Sequence, residues 1–188
     1  VPKVLGSHMK TKKKLAMLTI AETIFKREYN RIIDALGSLA HHLCDQYELQ
    51  RLGHPFYNTR ASGGEGHLEV AKNIYYSNKG LCHMVLSLKP FGCMPSSQSD
   101  GAQSAVVSHY KDMIFLPIET SGEGDVNAHS RVQMALGEAK VRAKNEINSI
   151  LQETGLTLDE VREFAAEHPE MQRPMYKSGH RKGVIGVA

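Results

Sequence analysis

The stretch HMVLSLKPFGCMPSSQSDG, residues 83 to 101, decides the fold. Its first six residues, His83 to Leu88, form a short and mostly apolar run between a glycine and a proline, which is typical of a buried strand. A second such run, MIFLPI, lies at Met113 to Ile118, and Pro117 within it indicates a strand that lies near a sheet edge or ends early. Residues 102 to 110, which lie between the two runs, are predicted to form a helix. This order predicts a right-handed β-α-β unit with parallel strands.

Four further segments are predicted to be helical. Three of them carry apolar residues at spacings of three and four and end at a glycine, and the fourth opens with the capping box TLDE. The four segments are residues 14–36 before Gly37, residues 65–79 before Gly80, residues 125–154 before Gly155, and residues 157–167. The polar segment after the first helix adds helix in its first half, and GVIGV near the end is strand-like. The predicted class is therefore α/β with helices in excess.

The 188 residues suit one compact domain. The motif GSHM near the start indicates that residues 1–9 are an expression-tag remnant, which leaves residues 10–188 as a single α/β domain. Because the chain stops inside an apolar run, we expect it to be a fragment of a longer protein.

Charge and cysteine usage narrow the class of partner. A formal net charge of +3 without a clustered basic face argues against nucleic acid, and KTKKK at Lys10 to Lys14 is interpreted as a solvated lead-in to the first helix. No apolar run approaches the roughly 20 residues that cross a bilayer, so no membrane association is expected. Three cysteines without a short spacing suit a reducing compartment, so the predicted location is cytoplasmic.

The loops after the two strands are the candidate site, because ligands of open parallel sheets bind beyond the carboxyl ends of the strands. Cys93 lies in the first loop and is a candidate metal ligand or nucleophile, and a helix start near Asp100 to Gln103 would favour its thiolate. The alternative is a buried cysteine that only packs. The candidate ligand-binding residues of these loops are Gly92, Ser96, Ser97 and Glu119.

Glycines also precede the second predicted helix, in SGGEGHLEV at residues 62–70. Such an arrangement exposes backbone N–H groups to an anion, and Gly64 and Glu65 are candidate binding residues there. The stretch matches neither common phosphate-binding motif, and the alternatives are a hinge or turn, with Glu65 as a helix cap.

Other reactive residues have weaker claims. Asn127, His129 and Arg131 fall in the first turns of a long helix, either near the site or merely solvated. Cys44 and Cys82 are interpreted as packing residues. No histidine has metal-ligand spacing, and no Ser-His-Asp arrangement is indicated.

Three stretches together resemble one known family. GEGHLEVAKNIYYSNKG, MVLSLKPFGCMPSS and FLPIETSGEGDVNAHSRVQMAL are similar to the C-terminal part of the 2-hydroxyacyl-CoA dehydratase superfamily, in particular of the large acyl-CoA dehydratase activase-related proteins. The similarity covers residues 62–136, and PFGCMPS is its most specific piece. The resemblance implies a parallel, flavodoxin-like sheet fragment with helices in excess.

The resemblance also implies a role for one cysteine. In the dehydratases, cysteines from separate segments hold a four-iron four-sulfur cluster, and a separate ATP-hydrolysing activator supplies an electron. Carried onto this chain, Cys93 alone matches a cluster ligand, so an upstream segment or another subunit must supply the others. The isolated chain is then expected to hold no cluster and to be inactive as a dehydratase (lyase) component.

Two functions from different classes follow. The first is a domain of a dehydratase-related iron-sulfur protein, in which Cys93 and the strand-end loops contribute to a cluster or acyl-CoA site and the partners are other domains or subunits of the same system. The alternative is a non-catalytic ligand-binding or subunit-docking domain with a structural cysteine. A thiol enzyme is a third idea, for which no paired base is evident.

Overall fold

The computed structural model describes residues 9–37, 41, 43–61, 64–120, 125–173, 175–177, 181–184 and 186–187. The chain divides into two compact units, one made of Val1–Leu43 with Ala165–Ser178 and the other of Cys44–Phe164 with Gly179–Ala188. The single domain over residues 10–188 stays a prediction. Residues 1–8, which hold most of the predicted tag remnant, lie outside the described residues.

The first unit is built around the long helix α1, Met9–Ala35. The predicted helix is confirmed, although most of its apolar stripe is exposed, including Leu18, Phe25 and Ile32. Gly37 follows the helix with a φ of +75°, and a Cβ there would lie 2.7 Å from the carbonyl carbon of Met175. Both the backbone conformation and the close approach therefore require glycine at this position.

The second unit holds the strands and the remaining α-helices, whereas a short 3-10 helix, Pro169–Gln172, belongs to the first unit. Helix α2 starts after a capping residue, Asp45, whose carboxylate accepts a hydrogen bond of 3.1 Å from the Tyr47 backbone N–H. In chain order the elements are α2 (Gln46–Gly53), α3 (Gly66–Asn78), β1 (Val85–Pro90), α4 (Met94–His109), β2 (Phe115–Thr120), α5 (Asp125–Thr154) and α6 (Leu158–Glu167), which extends past the end of the unit's main segment.

The core of this unit lies between α3 and α4. Val70 and Ile74 of α3 are fully buried against Val106 of α4 and Met113, and half-buried side chains such as Phe115 close around them. A second cluster joins Cys44 and Leu49 to Ala71 on another side of α3. Helix α3 is therefore packed on two sides, whereas its apolar pattern predicted one buried side.

The two predicted strands pair in parallel, and the helix between them is α4, so the β-α-β arrangement is confirmed. Each strand begins two residues later than predicted and continues through its polar end, at Val85–Pro90 and Phe115–Thr120. Backbone pairing continues to the Pro90 and Thr120 positions, and the Thr120 hydroxyl donates to the Lys89 carbonyl at 3.1 Å. Pro117 predicted that β2 lies near a sheet edge or ends early. The edge position is confirmed, because β2 belongs to a two-stranded sheet among the described residues, whereas the early end is wrong.

The expectation of a buried first strand is also wrong. Leu86 and Leu88 are 39 % and 65 % exposed, whereas Lys89 is buried. Leu86 and Leu88 therefore present their side chains to solvent, whereas Ile118, which is paired with Leu88 on β2, is buried.

Helix α4 begins eight residues earlier than the predicted 102–110 segment. The stretch from Ser96 to Gly101, predicted as a loop, is helical, and the predicted helix start near Asp100 is wrong. Pro95 sits in the first turn, where its missing N–H costs no hydrogen bond. The serines in this stretch are typical of a loop, yet two of them, Ser96 and Ser99, are buried and bond to Glu69 of α3.

The C-terminal helices follow the predicted signals closely. In the capping box, Thr157 N–H donates to Glu160 Oε2 at 2.7 Å and Glu160 N–H donates to Thr157 Oγ1 at 3.3 Å. The hydrogen bond from the Thr157 backbone N–H, and to a smaller extent the one from its hydroxyl, lowers the pKa of the Glu160 carboxyl below its ordinary value. The end of the chain adds a short antiparallel pair of β3 (Arg181–Lys182) and β4 (Gly186–Val187), which includes part of the strand-like GVIGV segment.

A buried ion pair ties α4 to β1. The Lys89 ammonium contacts the Asp100 carboxylate, and Glu119 of β2 lies 3.7 Å away. Burial disfavours the charged lysine, but the hydrogen bond and charge of Asp100, with a smaller contribution from Glu119, outweigh it and raise the pKa of Lys89. The pair fixes the turn that leads from the strand into the helix.

Asp100→Ala should destabilise this unit strongly, because the Lys89 side chain is only 7 % exposed and would keep its charge without its main partner. Breaking a buried pair costs about 3–5 kcal/mol. Chemical denaturation, with hydrogen exchange in β1 as the local probe, measures the loss. Glu119→Gln is the matched control and should cost less than about 1 kcal/mol, because that carboxylate is 43 % exposed. Equal losses in both variants would contradict the assignment.

Candidate functional site

Cys93 lies in the turn between the end of β1 and the start of α4. Its predicted place beyond the carboxyl end of a parallel strand is therefore confirmed. It is the N-cap residue of α4 with extended backbone angles, φ −68° and ψ 104°, and it is half-buried. Gly92 before it has a φ of +76°, and a Cβ there would meet nothing within 4 Å. Glycine is thus required at 92 by the turn itself and not by crowding.

The thiol of Cys93 is the first member of a hydrogen-bond chain. It donates to Ser96 Oγ at 3.3 Å, and the Ser96 hydroxyl donates to Glu69 Oε1 on α3 at 2.8 Å. Ser99, one turn further along α4, donates to the second oxygen of the same carboxylate and to the Ser96 carbonyl. Both serines are buried, so Glu69 holds the first turns of α4 in place.

The hydrogen-bond chain continues through two buried side-chain amides, which form a ladder between α3 and α4. Gln103 Nε2 donates to the Glu69 carbonyl at 3.4 Å, and Asn73 Nδ2 donates to Gln103 Oε1 at 2.7 Å. Asn73 Oδ1 is buried and has no hydrogen-bond partner among the described residues. Since polar groups in a core cost free energy unless they are paired, the ladder permits one register between α3 and α4.

The glycine-rich segment before α3 packs directly on this corner. A Cβ on Gly64, whose φ is +130°, would lie 2.5 Å from Pro95 Cγ, and one on Gly66 would lie 3.0 Å from the Pro95 carbonyl oxygen. Both glycines therefore let the start of α3 approach the first turn of α4. This close packing supports the turn interpretation over the anion-binding one; Ser62 and Gly63 lie outside the described residues.

The other predicted site residues are dispersed. Ser97 is exposed and its hydroxyl donates to the Cys93 carbonyl at 2.9 Å, whereas Glu119 lies on β2 near Lys89. Glu65 occupies the N-cap position of α3 without a side-chain capping bond, so its predicted capping role is wrong. Asn127, His129 and Arg131 are exposed, and Arg131 donates to the Pro117 carbonyl at 2.9 Å. Residues 121–124 of the second loop lie outside the described residues.

The remaining cysteines lie elsewhere. Cys44 is buried and donates to the Tyr76 hydroxyl at 3.8 Å, as expected of a packing residue. Cys82 precedes β1 and so lies at the other end of the strand from Cys93; burial raises the pKa of its thiol, against a smaller opposing hydrogen bond with Met84. Within the described ranges, no three His, Cys, Asp or Glu side chains are grouped closely enough to hold a metal ion.

Sequence reasoning missed Glu69, Asn73 and Gln103. Glu69 and Asn73 are one turn apart on α3, and the uncharged polar residues Ser96, Ser99 and Gln103 recur at spacings of three and four on α4. Matching polar stripes on two consecutive helices were the signal that could have found the ladder.

The fold and site define a helix-rich α/β protein with a cysteine at a strand-to-helix turn. No family model matches the chain, and no curated protein or solved structure matches it either. Among the helices in the described part of the chain, none combines the length and apolar character needed to cross a membrane.

Glu69→Gln should destabilise the corner around Cys93. An amide nitrogen cannot accept a hydrogen bond, so one of the two serine–carboxylate bonds is lost and the charge that strengthens the other is removed, at a cost of about 1–3 kcal/mol in the free energy of unfolding. Urea denaturation measures this loss of unfolding free energy. Glu65→Gln, one turn earlier and exposed, is the matched control and should change stability by less than about 0.5 kcal/mol. A Glu69→Gln variant as stable as the control would refute the role of the carboxylate.

Proposed function

We propose that this chain is a domain of a 2-hydroxyacyl-CoA dehydratase-related iron-sulfur protein, in which Cys93 contributes to a cluster or acyl-CoA site. The proposal is supported by the resemblance around PFGCMPS and by one observation that carries it. Cys93 is held at the turn between a parallel strand and a helix, and its thiol is oriented by Ser96 and Glu69. Preorganised side chains of this kind are what a ligand site needs.

The metal part of the proposal needs ligands from outside the described residues. A four-iron four-sulfur cluster is typically held by about four cysteine thiolates, and Cys93 is the single thiol at this corner among the described residues. These residues therefore do not hold a cluster by themselves. The proposal accordingly includes a further segment or a partner subunit of the same system, and it predicts a colourless 188-residue chain.

The residues around Cys93 fit a thiol that loses its proton on binding. A metal-bound cysteine is a thiolate and can no longer donate to Ser96. The Ser96 hydroxyl can turn from Glu69 to the sulfur, and Glu69 would still accept a hydrogen bond from Ser99. The carboxylate thus remains partly satisfied in either state.

Replacing Cys93 by Ala or Ser in the full-length polypeptide should abolish or alter the iron-sulfur cluster. Anaerobic reconstitution followed by absorption and electron paramagnetic resonance spectra measures this. Cys82→Ala is the control, because that thiol lies at the opposite end of β1 and should leave the spectra unchanged. If the alanine variant folds poorly, the serine variant serves in its place, because serine preserves the shape of the corner. Wild-type spectra from both Cys93 variants would overturn the proposal.

A second candidate function, subunit or domain docking, is favoured by a separate observation. Leu86, Leu88, Phe91 and Met94 are 39 %, 65 %, 75 % and 68 % exposed on and just after β1. Parallel strands are usually covered on both faces, so a cluster of exposed apolar side chains of this kind is typical of an interface. In this function Cys93 only packs at the edge of the docking surface.

Thiol labelling of the native 188-residue chain separates the two functions. A ligand-site cysteine should react first, because Cys44 is buried and burial raises the pKa of Cys82. We expect peptide mapping by mass spectrometry to find Cys93 alkylated before the other two, and all three to react equally in denaturant. Protection of Cys93 while Cys82 reacts would favour the docking function.

A further inference from the structure

The long helix α1 carries a stripe of large apolar side chains that the rest of the described chain leaves exposed. A helix in a folded protein gains most of its stability from the packing of its apolar face. In α1, however, Ile33 is the single buried residue among those whose side chains the structure describes. Five large side chains of the stripe are between 41 % and 77 % exposed, namely Leu15, Leu18, Phe25, Ile32 and Leu36.

The stripe has the spacing of a coiled coil. Positions that alternate in steps of three and four over three heptads form a seam along which two helices pack side by side. Here six of the seven positions are apolar, and the α1 seam consists of Leu15, Leu18, Glu22, Phe25, Tyr29, Ile32 and Leu36. Leu36 follows the last residue of α1, and its backbone N–H still donates to the Ile32 carbonyl at 3.1 Å. We propose that the α1 seam pairs with the same seam of a second copy of this chain, in antiparallel orientation.

A second copy suits the seam because a two-fold symmetric pair uses the same surface on both chains. The stripe of each copy then supplies both the side chains that insert and the spaces that receive them. From Leu15 to Leu36 the seam is about 32 Å long, at about 1.5 Å per residue. Glu22, its one charged residue, pairs with Lys26 at 2.6 Å on the same helix. A single polar residue of this kind fixes the alignment of a coiled coil at some cost in stability.

The charges along α1 favour the antiparallel orientation. Four lysines lie within residues 10–14, at the end of the helix where the helix dipole disfavours positive charge. The last turn of α1 contains no basic residue, and the negative end of the dipole lies there. An antiparallel pair places the lysines of each copy beside the last turns of the other helix, where positive charge is favourable. A parallel pair would instead bring the two groups of four lysines together, and like charges repel.

Sedimentation equilibrium of the native 188-residue chain tests the pairing. We expect a monomer–dimer equilibrium with a Kd below about 50 μM. Ile32→Lys should raise this Kd at least about tenfold, because each pair would then bury two ammonium groups in an apolar seam. Ile20→Lys is the matched control, because Ile20 is also 61 % exposed but faces away from the seam. The control should change the Kd by less than about threefold.

A second set of variants tests the orientation. Replacing Lys12, Lys13 and Lys14 together by Gln should raise the dimer Kd by about threefold or more, because the attraction to the partner's helix end is lost. In a parallel pair the same change would relieve repulsion and lower the Kd.

Circular dichroism checks that each variant keeps its helices, and Leu18→Lys replaces Ile32→Lys if the latter folds poorly. Three results would each overturn the proposal: a chain that is monomeric at about 100 μM, equal effects of Ile32→Lys and Ile20→Lys, and tighter dimers from the triple glutamine variant.

Discussion

The carboxylate of Glu69 is the constraint on which the rest of the second unit depends. It accepts hydrogen bonds from two buried serines of α4, and the backbone carbonyl of the same residue accepts from Gln103. A carboxylate placed between two helices is costly unless its oxygens are satisfied, so α4 can pack on α3 only where its serines reach Glu69. Because Cys93 caps α4, fixing the first turn of this helix also fixes the thiol.

A second contact, an ion pair, also fixes the position of α4. Asp100, one turn beyond Ser96, pairs with Lys89 at the end of β1, so α4 is anchored to the strand as well as to α3. Two polar contacts therefore hold the turn at Gly92. One is the cluster of serine hydroxyls around the Glu69 carboxylate, and the other is the ion pair between Lys89 and Asp100. The position of Cys93 is decided by these contacts, since its own side chain makes no capping bond.

Both functions proposed for the Cys93 corner require a further element to cover it. One thiol is too few for a cluster, and four exposed apolar side chains, Leu86, Leu88, Phe91 and Met94, lie on β1 and on either side of Cys93 in the chain. The two functions differ in whether the covering element brings ligands to the sulfur or only buries apolar area.

The sequence by itself determined most of the helices and several of their ends, because periodicity, the TLDE capping box and the glycines at 37 and 155 act over a few residues. It also determined the parallel β-α-β order and the strand-end place of Cys93. The early start of α4, the longer strands and the role of Glu69 were decided only by the tertiary structure. Serines that look like a loop become helical when another helix supplies their acceptor, and Lys89 is buried in a strand because Asp100 neutralises it. Such contacts join residues about thirty positions apart or on different elements, which no local pattern encodes.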